Sequence, residues 1–302
     1  MFSANSTSIH QINADYPLSR LKRQMYMLFN KANNSFGHTR VDQDLSLRNF
    51  DSVQLDDYWT RLFPTSSPSR KLSDLFWMAM PWADIGNELG EINVLDIGCG
   101  AGDYGLRMVE NSNKRVTRYT GVDVKANAHW DELMNENTAF QFTQIESDQL
   151  PIPDGTNFIM SQSVLEHVAA DLSYFKQISD FVSRQNGSVL QVHLMPAAAC
   201  LKTYGYHGVR QYTPRTVSKL SRLFNKTSYS MLIGLGGEEC NKLHRDYITQ
   251  PLKKGLKDQR MERTSQYDSA LYEAMKSDMT KAQMSPCFYA LVIHSRWKTR
   301  LL

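Results

Sequence analysis

A chain of 302 residues, 41% of them hydrophobic, can bury one substantial core and a small appended region. Its net charge of +3 is small, and the lysines and arginines are scattered rather than massed, which argues against a nucleic-acid partner. No apolar run approaches a membrane span, the N-terminus lacks the basic start and apolar stretch of a secretion signal, and Cys99, Cys200, Cys240 and Cys287 form no C-x-x-C pair, so a cytoplasmic protein with reduced thiols is expected.

In chain order, residues 1–16 are polar and turn-rich. Leu18, Leu21, Met25 and Leu28 then recur at helical spacing and predict one amphipathic helix over residues 18–29. Residues 30–54 are polar and weakly patterned, and residues 66–84 read as a second helix with Pro68 near its start and Phe76, Trp77 and Met80 on its apolar face. Residues 1–90 are therefore expected to be a helical N-terminal extension, either packed on the edge of the core or serving as a lid. From residue 91 to 302 one catalytic domain is expected, with an insertion at about 195–227. Its first half alternates: strand at 93–97, helix at 103–110, strand to Asp123, helix around 129–135, strand at 140–145. That alternation predicts an α/β fold with a mostly parallel sheet and helices on both faces. Residues 157–168 read as a strand running straight into a helix, with helix from 164 to 184 interrupted near Asp171. Asn186-Gly187 introduces a strand at 188–194, Thr213-Pro214 caps a helix to about 223, and residues 228–235 and 288–294 suit two more strands, seven in all.

The most informative stretch is V-L-D-I-G-C-G-A-G-D-Y-G, residues 94–105: an apolar strand carrying Asp96, then Gly98, Gly100 and Gly102 at alternate positions, then a helix start. Such glycines let backbone approach a ligand closely, and the helix beyond aims free N–H groups at an anionic group. A dinucleotide fingerprint needs G-x-G-x-x-G, and its third glycine would fall at Asp103, so S-adenosylmethionine suits the spacing better. Asp123, with Val124 after it, ends the next strand about one βαβ unit later, where a carboxylate can accept both ribose hydroxyl protons.

With E-S-D-Q-L-P-I-P at 146–153 and S-Q-S-V-L-E-H-V at 161–168 following in order, the chain resembles the class I methyltransferases, specifically a branch with an S-x-S-V-L-E-H-V motif after the fourth strand and small-molecule acceptors. The likeness covers roughly residues 92–194. It implies a Rossmann-like seven-stranded sheet whose last strand is antiparallel. It further implies that Asp96 and the glycine turn hold the methionine part of the donor and Asp123 the ribose. Glu146 and Ser147, with Asp148 close by, would face the adenine edge, and Ser161 and Gln162 would line the sulfonium end. The branch usually has Asp where Glu146 stands. Base-modifying relatives carry N/D-P-P-Y/F after strand four, where this chain has S-Q-S-V, so oxygen methylation of a small hydroxylated acceptor is expected, a sugar or polysaccharide precursor first. A quinone, lipid or secondary metabolite, or a non-catalytic scaffold, is the alternative.

An alcohol acceptor loses a proton as it attacks, and an imidazole with a pKa of about 6.5 suits that task. His167 matches a position where some sugar O-methyltransferases carry a catalytic histidine, and His193 would reach the same crevice if strand alternation aims it there. In the insertion, Tyr204, Tyr206, His207, Arg210 and Tyr212 look like an acceptor surface, with aromatic faces for stacking and an arginine fork for a phosphate or carboxylate. No carboxylate and histidine spacing compels a metal.

Overall fold

The structure is a computed structural model and describes residues 5–35, 41–50, 53–224, 226–281 and 285–302. Eight strands form one sheet: β1 (Leu45–Asn49), β2 (Ile92–Ile97), β3 (Val116–Asp123), β4 (Phe140–Gln144), β5 (Phe158–Gln162), β6 (Val189–Pro196), β7 (Ser228–Leu235) and β8 (Phe288–Ser295). Their order is β1-β7-β8-β6-β5-β2-β3-β4. β8 runs antiparallel to β6 and β7, and every other pairing is parallel. All eight residues of β6 are buried, as a central strand covered on both faces requires. The expected seven strands are present, and the eighth, β1, comes from a stretch too polar to show a strand pattern. Its partner β7 supplies the ladder that β1 could not specify alone, in register from Leu45 opposite Ser230 to Asn49 opposite Gly234.

The helices are α1 (Arg20–Ser35), α2 (Leu55–Trp59), α3 (Pro68–Ala79), α4 (Trp82–Leu89), α5 (Asp103–Asn111), α6 (His129–Glu136), α7 (Asp171–Arg184), α8 (Cys200–Tyr204), α9 (Pro214–Ser221), α10 (Glu238–His244), α11 (Gln250–Lys253) and α12 (Thr264–Met279). Alternate strand residues feed two cores. On one face Val94, Phe158 and Met160 pack with Leu72, Leu75, Phe76 and Trp77 of α3 and Ile85 of α4. On the other, Leu95, Ile97 and Ile159 meet Phe175, Ile178 and Val182 of α7 and Val217 and Leu220 of α9. Leu72 and Leu75 are 0% exposed, each worth about 2 kcal/mol on apolar burial, so α3 belongs to the same core as the sheet.

Local chemistry explains the boundaries. The single helix expected over 66–84 is two, because Pro81 has no N–H to donate and forces Met80 into extended backbone (ψ 142°). α3 starts where Ser67 accepts the Arg70 amide at 3.4 Å, and α9 starts as expected on a Thr213–Thr216 capping box with Pro214 in its first turn. Three expectations need correction. Residues 163–170 form turns, so α7 begins only at Asp171. α10, α11 and α12 lie within residues 238–279, where the sequence pattern predicts no element. The apolar stripe of α1 faces solvent: Leu21 is 66% and Leu28 64% exposed, while Tyr26, Asn30 and Asn33 are buried. Among the described residues, no helix is long and apolar enough to cross a membrane.

Candidate active site

The strand order reverses between β2 and β5, the switch point where ligands of open α/β sheets bind beyond the carboxyl ends. The glycine turn lies there. Gly98 (φ 77°) and Gly102 (φ 91°) are left-handed, and a Cβ on Gly98 would stand 2.2 Å from Val164 Cγ2. Gly100 faces open space, as a residue beside a ligand should. Trp130 Nε1 donates to Gly100 O at 2.9 Å, and Asp123 Oδ2 accepts Gly100 N at 2.9 Å, so the ends of β2 and β3 and the start of α6 fix the turn together.

A cavity of about 370 Å³ opens on this turn, walled by Asp96, Gly98, Gly100, Asp103, Tyr104 and Gln162 from the sheet side. Arg70 and Asp74 of α3 close its other side. Asp96 is 2% exposed, and burial pushes its carboxyl up to about 7 although Tyr119 donates to it at 2.5 Å. A nearly dry carboxyl beside a glycine cradle suits a ligand that brings a positive charge. Tyr104 joins the walls by donating to Asp74 Oδ1 at 2.7 Å and accepting from Arg70 Nη1 at 2.8 Å and Gln162 Nε2 at 2.5 Å. Arg70, Asp74 and Tyr104 were not foreseen. Tyr104 was visible as the residue after Asp103 at the helix start, whereas Arg70 and Asp74 reach the site only through the packing of α3.

A second cavity of about 650 Å³ adjoins the first and shares Arg70 and Gln162 with it. Its walls include Ser163, Glu166, Tyr204, Tyr206, His207, Ile248, Leu252 and Phe288. Ser163 sits left-handed (φ 56°), a conformation costing a non-glycine residue about 1 kcal/mol, and its N–H donates to Leu194 O at 3.0 Å. That bend seats Val164 against Gly98, keeps Glu166 buried and turns His167 toward Asp15 of the N-terminal segment. His167 Nδ1 lies 2.6 Å from Asp15 Oδ2, its ring stands edge-on to His207 at 4.8 Å, and Glu166 Oε1 is 3.7 Å from His207 Nε2 and 3.8 Å from His167 Nε2. The Glu166 carboxylate raises the His207 imidazole above its usual value against the opposing effect of burial. Burial favours a raised Asp15 carboxyl, but bonds from His167 and the Gly208 amide outweigh it and leave the group below the usual range. Asp15, His167 and His207 could also hold a metal ion, their ligand atoms lying within 4.8 Å of one another.

The structure brings some expected residues together and removes others. Gln162, Tyr204, Tyr206 and His207 line the second cavity, and His167 stands behind His207. His193 does not reach the crevice. It is 0% exposed, bonds Ser161 Oγ through Nδ1 at 2.8 Å, packs edge-on to Phe175 at 4.8 Å, and burial pushes its pKa down to about 3. Strand alternation turns Ser161 and His193, paired across β5 and β6, under α7, so neither side chain lines either cavity. Arg210 is likewise no anion site: its guanidinium is buried and donates to the carbonyls of Leu165 (3.2 Å), Val168 (2.6 Å) and Ala169 (2.7 Å) beside buried Asp171. Tyr212 is 0% exposed and donates to Leu165 O and Asp171 Oδ2, both at 3.0 Å. These two residues clamp the 163–170 turns and line neither cavity. Val124, Glu146, Ser147 and Asp148 are exposed beyond the ends of β3 and β4, on the side of the turn where Asp123 lies.

A methyltransferase-domain family model matches residues 47–230. No curated protein matches the sequence. Among solved structures, the chain is similar to the YcgJ protein of Bacillus subtilis, 18% identical over 70% of this chain and 93% of that one, with a TM-score of 0.37. It is similar to the [4+2]-cyclase SpnF, 14% identical over 93% and 97%, with a TM-score of 0.45. The 1,6-didemethyltoxoflavin-N1-methyltransferase of Burkholderia thailandensis is 14% identical over 95% and 93%, with a TM-score of 0.40. The family match spans more than half of the chain and contains the glycine turn, Asp123 and β5 to β6 within it, so the chain belongs to the class I S-adenosylmethionine-dependent methyltransferase family.

Proposed function

We propose that the protein methylates a hydroxyl oxygen of a small acceptor, a sugar or polysaccharide precursor, held in the 650 Å³ cavity. The observation that carries this reading is the meeting of the two cavities at Gln162 and Arg70, with hydrogen-bonding side chains and a histidine on the acceptor side. When bound, S-adenosylmethionine supplies an electrophilic methyl group on a sulfonium. Asp96 and the turn of Gly98, Gly100 and Gly102 would hold its methionine part, Asp123 with Val124 the ribose, and Glu146, Ser147 and Asp148 the adenine edge. Gln162 would stand beside the sulfonium.

On the acceptor side, Tyr204 and Tyr206 offer aromatic faces to a sugar ring. His207, backed by Glu166, is placed to take the hydroxyl proton, and Asp15 fixes the ring of His167 against it. His167 is then the second proton-accepting candidate of the pair. A hydrophobic or quinone-like acceptor is favoured by one feature, the Ile248, Leu252 and Phe288 wall of the same cavity. Transfer of labelled methyl from the donor to a panel of nucleotide-linked sugars and prenylated phenols tests both. Label on the sugars alone supports the first reading, label on the phenols alone replaces it with the second, and label on neither removes both.

A further inference from the structure

α1 is built inside out. Its protein-facing side is Tyr26, Asn30 and Asn33, all 0% exposed, and its solvent side carries Leu21 (66%), Met25 (37%) and Leu28 (64%). A surface helix of a water-soluble domain shows the reverse arrangement. At about 100° per residue, Leu21, Met25 and Leu28 fall within a sector of about 60°, with the buried Asn30 across from it. Arg20 and Lys31 flank that sector on one side and Lys22 on the other. Arg20, Lys22, Arg23 and Lys31 are exposed, and no Asp or Glu occurs between Asp15 and Asp42. No ion pair is formed by these four cations among the described residues.

We propose that α1 docks the protein on an anionic lipid bilayer, its leucines and methionine entering the acyl boundary and Arg20, Lys22 and Lys31 resting among the head groups. Charge decides the occupant. A second copy pairing through this face would set Arg20, Lys22 and Lys31 against their own counterparts with no acid between them, whereas an anionic membrane complements both the stripe and its flanks. The helix is also coupled to the acceptor cavity: Tyr26 donates to His207 O at 2.7 Å, and the Arg23 guanidinium lies 5.6 Å from the ring of Tyr206, which lines the cavity. Leu252 and Leu256, more than half exposed among Lys253, Lys254 and Lys257, repeat the chemistry at the cavity rim. Resting on the proposed acceptor cavity, the coupling implies an acceptor that is lipid-linked or carries an apolar tail; the docking itself rests on α1 alone.

The test is co-sedimentation of the whole protein with vesicles of phosphatidylcholine alone and of phosphatidylcholine mixed about equally with phosphatidylglycerol. Binding is expected to the mixed vesicles only, and to fall at about 0.5 M salt. Leu21→Asp with Leu28→Asp should weaken it at least tenfold, and Arg20→Glu with Lys22→Glu at least as much, while affinity for S-adenosylmethionine stays unchanged as the check on folding. Absent binding to mixed vesicles, or equal binding by both variants, overturns the proposal. So does a dimer in solution that Leu28→Asp dissociates, or retention on an acidic polypeptide without retention on vesicles. Because no acceptor is used, failure here is separable from failure of the methylation reading.

Discussion

Trp77 Nε1 donates to Gln162 Oε1 at 2.7 Å, joining a helix of the N-terminal region to the last residue of β5 where the two cavities meet. The bond fixes which way the Gln162 amide points, since its Nε2 must then donate to Tyr104. Replacing Trp77 with Phe keeps most of the buried ring and removes the donor. A loss of about 1 kcal/mol is expected by urea denaturation. The larger effect is expected on turnover, because the freed amide no longer positions what binds at the junction; unchanged kcat would show that Gln162 is held by Tyr104 alone.

Gly98→Ala meets two separate obstacles, the left-handed φ of 77° and the Val164 side chain. The variant is expected to lose about 1–3 kcal/mol of stability and most of its donor affinity, read by calorimetric titration with S-adenosylmethionine. Adding Val164→Ala should relieve the contact and not the backbone strain, so the pair should recover part of the stability. Full recovery would mean that the φ costs nothing.

Asp96 predicts how donor binding follows pH. With its pKa raised to about 7 by burial, the free site carries a proton at pH 6, and a cationic ligand favours the ionised form. Donor affinity should therefore rise with pH up to about 7, by as much as about tenfold per unit, and level off above it. Asp96→Asn should bind more weakly and show no such slope. A slope that survives the substitution assigns the titration elsewhere.

Folding stability should respond to acid through the buried histidines. Burial lowers His10, His244 and His294 to about 4 and His193 to about 3, so between those values and about 6.5 the unfolded chain binds more protons than the folded one. Stability then rises with pH across that window. Asp96, raised to about 7, works the other way, because there the folded state holds the extra proton. Four groups oppose one, and the urea midpoint is expected to fall as pH drops from 6.5 toward 4.5.

Arg210 and His193 distinguish framework from chemistry. Arg210→Ala would leave Asp171 buried beside an empty space, and a loss of about 3–5 kcal/mol is expected. His193→Ala should also lower the melting temperature, with kcat of the folded fraction near that of the parent. His207→Ala should do the opposite, lowering kcat while donor affinity and melting temperature hold. A His193 variant that folds normally and loses turnover would return that residue to the site.

Much of this was legible in the sequence because it is local. Glycines at 98, 100 and 102 announce a turn that only left-handed backbone can make, Asp123 ends an apolar strand, and Thr213-Pro214 carries its own cap. Periodicity, by contrast, says that one side of α1 is apolar without saying which way that side faces. It also places His193 on a strand without saying which face of the sheet the ring takes. Tyrosines and an arginine in one insertion look alike on paper, yet Tyr204 and Tyr206 wall a cavity while Arg210 and Tyr212 hold a turn.

The sequence by itself therefore determined the mostly parallel α/β architecture, the strand that bears the glycine turn and the acids at the strand ends, since each depends on hydrogen bonding and backbone freedom within a few residues. Tertiary structure alone decided the partners of β1, the arrival of Arg70 and Asp74 at the cavity beside the glycine turn, the meeting of Asp15 with His167, and the outward stripe of α1. Those depend on which surfaces, far apart along the chain, exclude water together, and no short stretch of sequence encodes that choice.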